Sequence, residues 1–155
     1  MTGRMYTVVI SGVASPAAAF DLFELNAAAE KPIRVRRIRI AQTSEPTAEE
    51  EQLALTIVRD QSTSGSGGSA PTPRPLNKTA PAAGLAAETM NTTVATGGTP
   101  VILVEDAWNT RAGVDLAFAP EEAPEASNGQ RLVVTSSAPA DAVTIRATLW
   151  VEELG

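Results

Sequence analysis

Four stretches of this chain hold residue types from which chemistry is made. "EPTAEEE" from Glu45 and "PEEAPE" from Pro120 gather carboxylates, the donors a hard cation such as calcium takes. Neither has the alternating Asp/Asn spacing and glycine turn of a calcium loop, so a solvated acidic face is the better reading. "TSGSGGS" (63–69) has the glycines with which a backbone cradles a phosphate. A phosphate loop ends in Gly-Lys-Ser/Thr and opens a helix, whereas this run continues Ala70-Pro71-Thr72-Pro73. Gly65-Ser66-Gly67 invites comparison with a serine nucleophile, but the chain has no histidine to activate it.

The fourth stretch is "IRVRRIRI" (33–40). Arg34, Arg36, Arg37 and Arg39 place four of the chain's 12 basic residues in eight positions. Guanidinium groups so concentrated either meet a carboxylate-rich partner or face solvent, and both readings stay open. The aromatic residues are few enough to weigh singly. Trp150 lies on the polar parity of the last apolar alternation, where it serves an interface or is partly covered. Trp108 follows Val104 in what reads as a loop, and burial is expected for it.

Composition excludes much else. The 155 residues carry 12 Lys and Arg against 18 Asp and Glu, a formal charge of −6, with no long basic stripe. Nucleic-acid binding is therefore disfavoured. With 0 His and, by composition, no Cys, the chain lacks disulfides, thiolate catalysis, zinc–thiolate sites and the commonest general base. The expectation is a protein that is not an enzyme and needs no cofactor or metal. The first residues lack a signal-peptide pattern, and no apolar run approaches the ~20 residues of a membrane helix. A soluble chain made in the cytoplasm, with no membrane partner, is expected.

The elements that must position these residues read as strands. Val143, Ile145, Ala147, Leu149 and Val151 alternate with polar neighbours, as do Leu53, Leu55 and Ile57, and Val114, Leu116 and Phe118. Further candidates are 6–11, 20–25, 33–40, 101–105 and 131–135. That makes about eight strands, separated by turn signals such as Asn128-Gly129, in a single all-β domain spanning 1–155: an antiparallel β-sandwich or barrel. In "IRVRRIRI" the apolar parity shifts between Val35 and Ile38, and a β-bulge at Arg36-Arg37 would return all four aliphatic residues to one face. The one candidate helix is a single turn over Thr47–Gln52.

"STSGSGGSAPTPRPLNKTAPAAG" (62–84) interrupts the pattern. Gly and Ser predict a flexible first half, and Pro71, Pro73 and Pro75 an extended second half. Structureless loops of this length inside a domain are usually functional or disordered. The expectation is a long loop leaving one sheet edge.

The stretches "FDLFELNAAAEKPIRVRRIRIAQTSE", "LALTIVRDQSTSGSGGSAPTP", "NTTVATGGTP" and "RATLWVEEL" together resemble small virion proteins of tailed bacteriophages, and within them the capsid decoration, or cement, proteins. The resemblance implies a jelly-roll or related β-fold. It further implies a homotrimer on the virion surface that bridges capsomers by binding the major capsid protein. It carries no functional residue over. The side chains expected to touch a partner are Tyr6, Arg34, Arg36, Arg39, Pro71, Pro73, Pro75 and Trp150. The rival expectation is a sandwich of a head fibre or tail that binds carbohydrate or another host-surface group, with Trp108 or Trp150 as the sugar platform.

Overall fold

A computed structural model describes residues 3–44 and 50–155, and among these residues there are strands and no helix. The strands are β1 (Arg4–Ala14), β2 (Phe20–Asn26), β3 (Ile33–Gln42), β4 (Gln52–Arg59), β5 (Arg74–Pro75), β6 (Ala86–Asn91), β7 (Val101–Asn109), β8 (Val114–Ala117), β9 (Glu125–Ala126), β10 (Arg131–Ser136) and β11 (Thr144–Glu153). They form two antiparallel sheets packed as a sandwich. The first has the order β5-β1-β11-β3-β8, with β9 also on β3; the second has the order β6-β2-β10-β4-β7.

Alternation produces this arrangement directly. In β11, Ile145, Ala147, Leu149 and Val151 are buried while Arg146 is exposed and Thr148 and Trp150 are half-buried on the other face. β4 buries Leu53, Leu55 and Ile57 in the same way. The two inner faces interdigitate into one aliphatic core, as two stacked sheets require. The phase shift in β3 is a bulge: Trp150 lies opposite Arg37 and Val151 opposite Val35, so Arg36 is the extra residue. Ile33, Val35, Ile38 and Ile40 are all buried as a result.

Among the described residues eleven strands stand where eight are readable. β5 and β9 have two residues each, and β6 (Ala86–Asn91, sequence AAETMN) lacks the β-branched alternation that marks its neighbours. Trp108 belongs to β7 and not to a loop. It faces the core opposite Leu53, and its Nε1–H donates to Ser136 Oγ at 3.0 Å. Of the expected helical turn, residues 47–49 lie outside the described residues, Glu50 and Glu51 are not helical, and Gln52 opens β4.

Candidate functional site

The two outer faces of the sandwich differ. On the outer face of the second sheet, Asp21 and Glu24 of β2 stand opposite Thr135 and Val133 of β10. Such positions meet water in a two-layer sandwich, yet Asp21 is 1 % and Glu24 3 % exposed. The cover is the chain's own Gly/Ser run. Residues 62–69 lie antiparallel to 89–97, held by reciprocal backbone bonds between Thr63 and Thr96, Ser66 and Thr93, and Ser69 and Thr89.

Glu24 clasps this strap from beneath. Its carboxylate accepts from Ser64 Oγ (2.6 Å), the Gly65 N–H (2.9 Å), Asn91 Nδ2 (3.1 Å) and Arg131 Nε (2.8 Å). Asp21 accepts from the Ala95 N–H at 2.7 Å and the Thr135 hydroxyl at 2.8 Å. Glycine is required because the backbones nearly touch: a Cβ on Gly68 would lie 2.1 Å from the Thr89 carbonyl oxygen, and one on Gly65 2.7 Å from that of Thr93. The run expected to be a flexible excursion is therefore packed against its own domain.

The proline half closes the adjacent side. Pro75 pairs with Tyr6 on the edge of β1, Leu76 N–H donates to the Met5 carbonyl at 3.0 Å, and Tyr6 Oη donates to the Pro81 carbonyl at 3.1 Å. Pro73 is buried; Pro71 and Pro75 are half-buried. Tyr6 has no exposed surface at all. Tyr6 and Pro75 bind the loop to the sandwich, and the Tyr6 ring is enclosed by the loop and the core.

Burial raises the Asp21 pKa to about 6; the Ala95 N–H and the Thr135 hydroxyl work against this, and the Glu24 and Glu88 charges add to it. The folded state thus holds a proton that the unfolded chain has released between about pH 4 and pH 6. Stability contributed by this group is full below the ordinary pKa of 3.8 and falls as pH rises through about 6. Asp21→Asn is expected to abolish that slope and to raise stability at pH 7.5 by roughly 1–3 kcal/mol, with little change at pH 4. Urea denaturation at the two pH values checks this, and an unchanged slope would refute it.

The outer face of the first sheet carries no such cover. Its rows follow from register: Arg74, Thr7, Trp150, Arg37 and Ala117 lie across it in one row, and Val9, Thr148, Arg39 and Asp115 in the next. Trp150 sits near the middle with the Arg37 guanidinium 5.3 Å above its ring centroid, a cation–π contact that occupies one side of the indole. Three of the four β3 arginines pair with the chain's own carboxylates: Arg34 with Glu125 (2.6 Å), Arg36 with Glu152 (3.6 Å) and Arg37 with Asp115, Nε to Oδ1 at 2.7 Å. The Arg37 contact holds the Asp115 carboxyl below the usual carboxylate range.

Arg39 has no ion-pair partner among the described residues, nor has Arg146, which stands one row on between Ser11 and Ala41. Both line one shallow depression of about 320 Å³ with Val9, Ser11, Ala41 and Thr148. Of the residues expected to touch a partner, the structure thus brings Arg34, Arg36, Arg39 and Trp150 together on one face. Arg146 is the member that sequence reading misses. Its outward parity is legible, but its place beside Arg39 depends on β11 lying between β1 and β3.

The free edges are less suited to pairing. β7 exposes Val101 and Ile102 but has a bulge opposite Ile57 and Val58 and then Glu105 and Asp106; the open part of β1 has a bulge at Gly12. Bulges and edge charges are devices that discourage strand addition. No group of three or more acidic side chains placed to hold a metal ion occurs among the described residues.

No family model matches the chain, and no curated protein matches it. Among solved structures, one similar chain comes from "Structure of infectious bursal disease virus Gx strain", at 13 % identity over 98 % of this chain and 42 % of that one. Its TM-score is 0.19.

Proposed function

We propose that the chain is a non-enzymatic virion structural protein that decorates a phage capsid, made in the host cytoplasm and docked on the particle surface as a homotrimer bound to the major capsid protein. The observation that carries this reading is the difference between the two faces. The strap covers the β6–β2 side of one outer face and leaves Ala54, Glu105 and Ala107 of β4 and β7 exposed; the other outer face has no strap, is strand-built and is set with arginines around a central tryptophan. A protein that contacts a lattice through one rigid surface needs this asymmetry and no reactive group.

The strand order favours the same reading. β1-β11-β3-β8 stacked on β2-β10-β4-β7, with successive strands mostly crossing between sheets, supports a jelly roll, with β5, β6 and β9 as additions. The formal charge of −6 favours solubility before docking. The long loop, expected to reach a neighbour, takes the role of an internal strap in this proposal, and the docking surface moves to the first sheet. The sugar-binding rival loses Trp108, which is buried, and keeps Trp150 with one side of its ring covered by Arg37.

Binding only to the assembled shell would stabilise that shell by mass action. Purified protein is expected to co-sediment with emptied or expanded heads of its phage and to raise their disruption temperature. Absence of binding under conditions where the protein is folded would refute decoration.

A further inference from the structure

We propose that the depression between Arg39 and Arg146 is a carboxylate-binding site that takes an acidic segment of a protein partner. The inference rests on reading the first sheet's outer face as the docking surface, and adds the chemistry of what docks there.

The depression is built by register. Arg39 lies opposite Thr148, and Arg146 lies opposite both Ala41 and Ser11. The two arginines are therefore diagonal neighbours across β3 and β11, separated by small side chains that leave space between them. The Gly12 bulge holds the adjoining wall low: a Cβ placed there would already lie 3.6 Å from Arg146 Nη2. Like charges at a diagonal repel, and a folded acidic protein has carboxylates in excess to neutralise them. Along this same face Arg34, Arg36 and Arg37 are each matched by Glu125, Glu152 and Asp115. Asp115 stands opposite Arg39 and attracts it, but its carboxylate is engaged by Arg37; Arg39 and Arg146 form no ion pair among the described residues, and both line one depression.

Guanidinium groups bind carboxylates as bidentate forks, and the hydroxyls of Ser11 and Thr148 add donors beside them. Val9, 49 % exposed on the rim, suits an occupant that carries an aliphatic side chain next to its acid. A nucleic acid fits less well. Its phosphates run on past the depression toward Glu152 and Asp115 on the same face, whereas a short acidic segment need place its carboxylates only between the two arginines.

The test is fluorescence anisotropy of a dye-labelled octaglutamate peptide titrated with the full chain at low salt. Arg39→Gln and Arg146→Gln are each expected to weaken binding about tenfold, and the double variant by 30-fold or more. Lys78→Gln, a change of equal charge at an exposed turn beside Met5, toward the other end of β1 from Ser11, is expected to change affinity less than about twofold. Circular dichroism and melting show that each variant is folded. Equal binding by the double variant and the wild type would overturn the site. So would binding of duplex DNA more tightly than the peptide with the same dependence on Arg39 and Arg146, which would assign the site to phosphates. If a second copy of this chain is the occupant, sedimentation of the unlabelled protein will show self-association that octaglutamate disperses, and the site stands. The two proposals fail separately: double-variant protein that still decorates heads removes the carboxylate site and leaves decoration, whereas wild type that binds peptide but no head does the reverse.

Discussion

Replacing Trp108 by alanine is expected to lower the unfolding free energy by about 3–5 kcal/mol. Aromatic residues are scarce here, and the core is mainly aliphatic, so no other ring stands ready to fill the space. Trp108 is 1 % exposed, and its Nε1–H donates to the Ser136 hydroxyl, which in turn donates to the Ser137 carbonyl at 2.9 Å. Alanine leaves a cavity at the β4–β7 end of the second sheet and a buried hydroxyl with one partner fewer. Trp108→Phe separates the two contributions, since it keeps most of the volume and loses only the hydrogen bond; a cost of about 1–2 kcal/mol is expected. Urea melts of the two variants check the order, and a Trp108→Ala cost below 1 kcal/mol would show that the ring is not packed as described.

The second large effect belongs to Glu24. Glu24→Ala removes the acceptor for four donors at once and is expected to cost about 3 kcal/mol, because the Gly65 N–H and Asn91 are left without that acceptor while Arg131 regains water only in part. The loss should be local as well as global. Amide exchange at Gly65, Ser66 and Thr93 should accelerate by more than exchange at Val134 or Leu149 in the sheets, because the strap opens before the sandwich does. Glu24→Gln keeps one acceptor oxygen and should fall between. Uniform acceleration across the sheets and the strap would contradict a clasp that acts on the strap.

The parts of this fold that alternation controls are legible from residues alone. β4 and β11 read directly, and the Arg36 bulge follows from one slipped parity in eight residues. What escapes the reading depends on partners distant in sequence. Ser62–Ser69 has the composition of a flexible linker, and the two acids it covers, Asp21 and Glu24, share a face only through a β2 bulge that their three-residue spacing does not announce. Glycine there serves close backbone approach and not mobility, a distinction composition does not carry. β6 is hidden for a related reason: AAETMN is a poor strand in isolation and is held by β2 on one side and by the strap beyond it. The arginine face is half legible. "IRVRRIRI" announces basic charge, but which arginines its own acids neutralise, and which remain beside Arg146, is decided by strand order.

Docking is proposed to run through the outer face of the first sheet, and hydroxyl-radical footprinting of the protein co-sedimented with emptied or expanded heads reads that face residue by residue. Protection at Val9, Trp150 and the segments holding Arg39 and Arg146, with residues 62–69 unchanged from the free protein, is the predicted result. Protection confined to 62–97, with the first sheet as reactive as in solution, would contradict it.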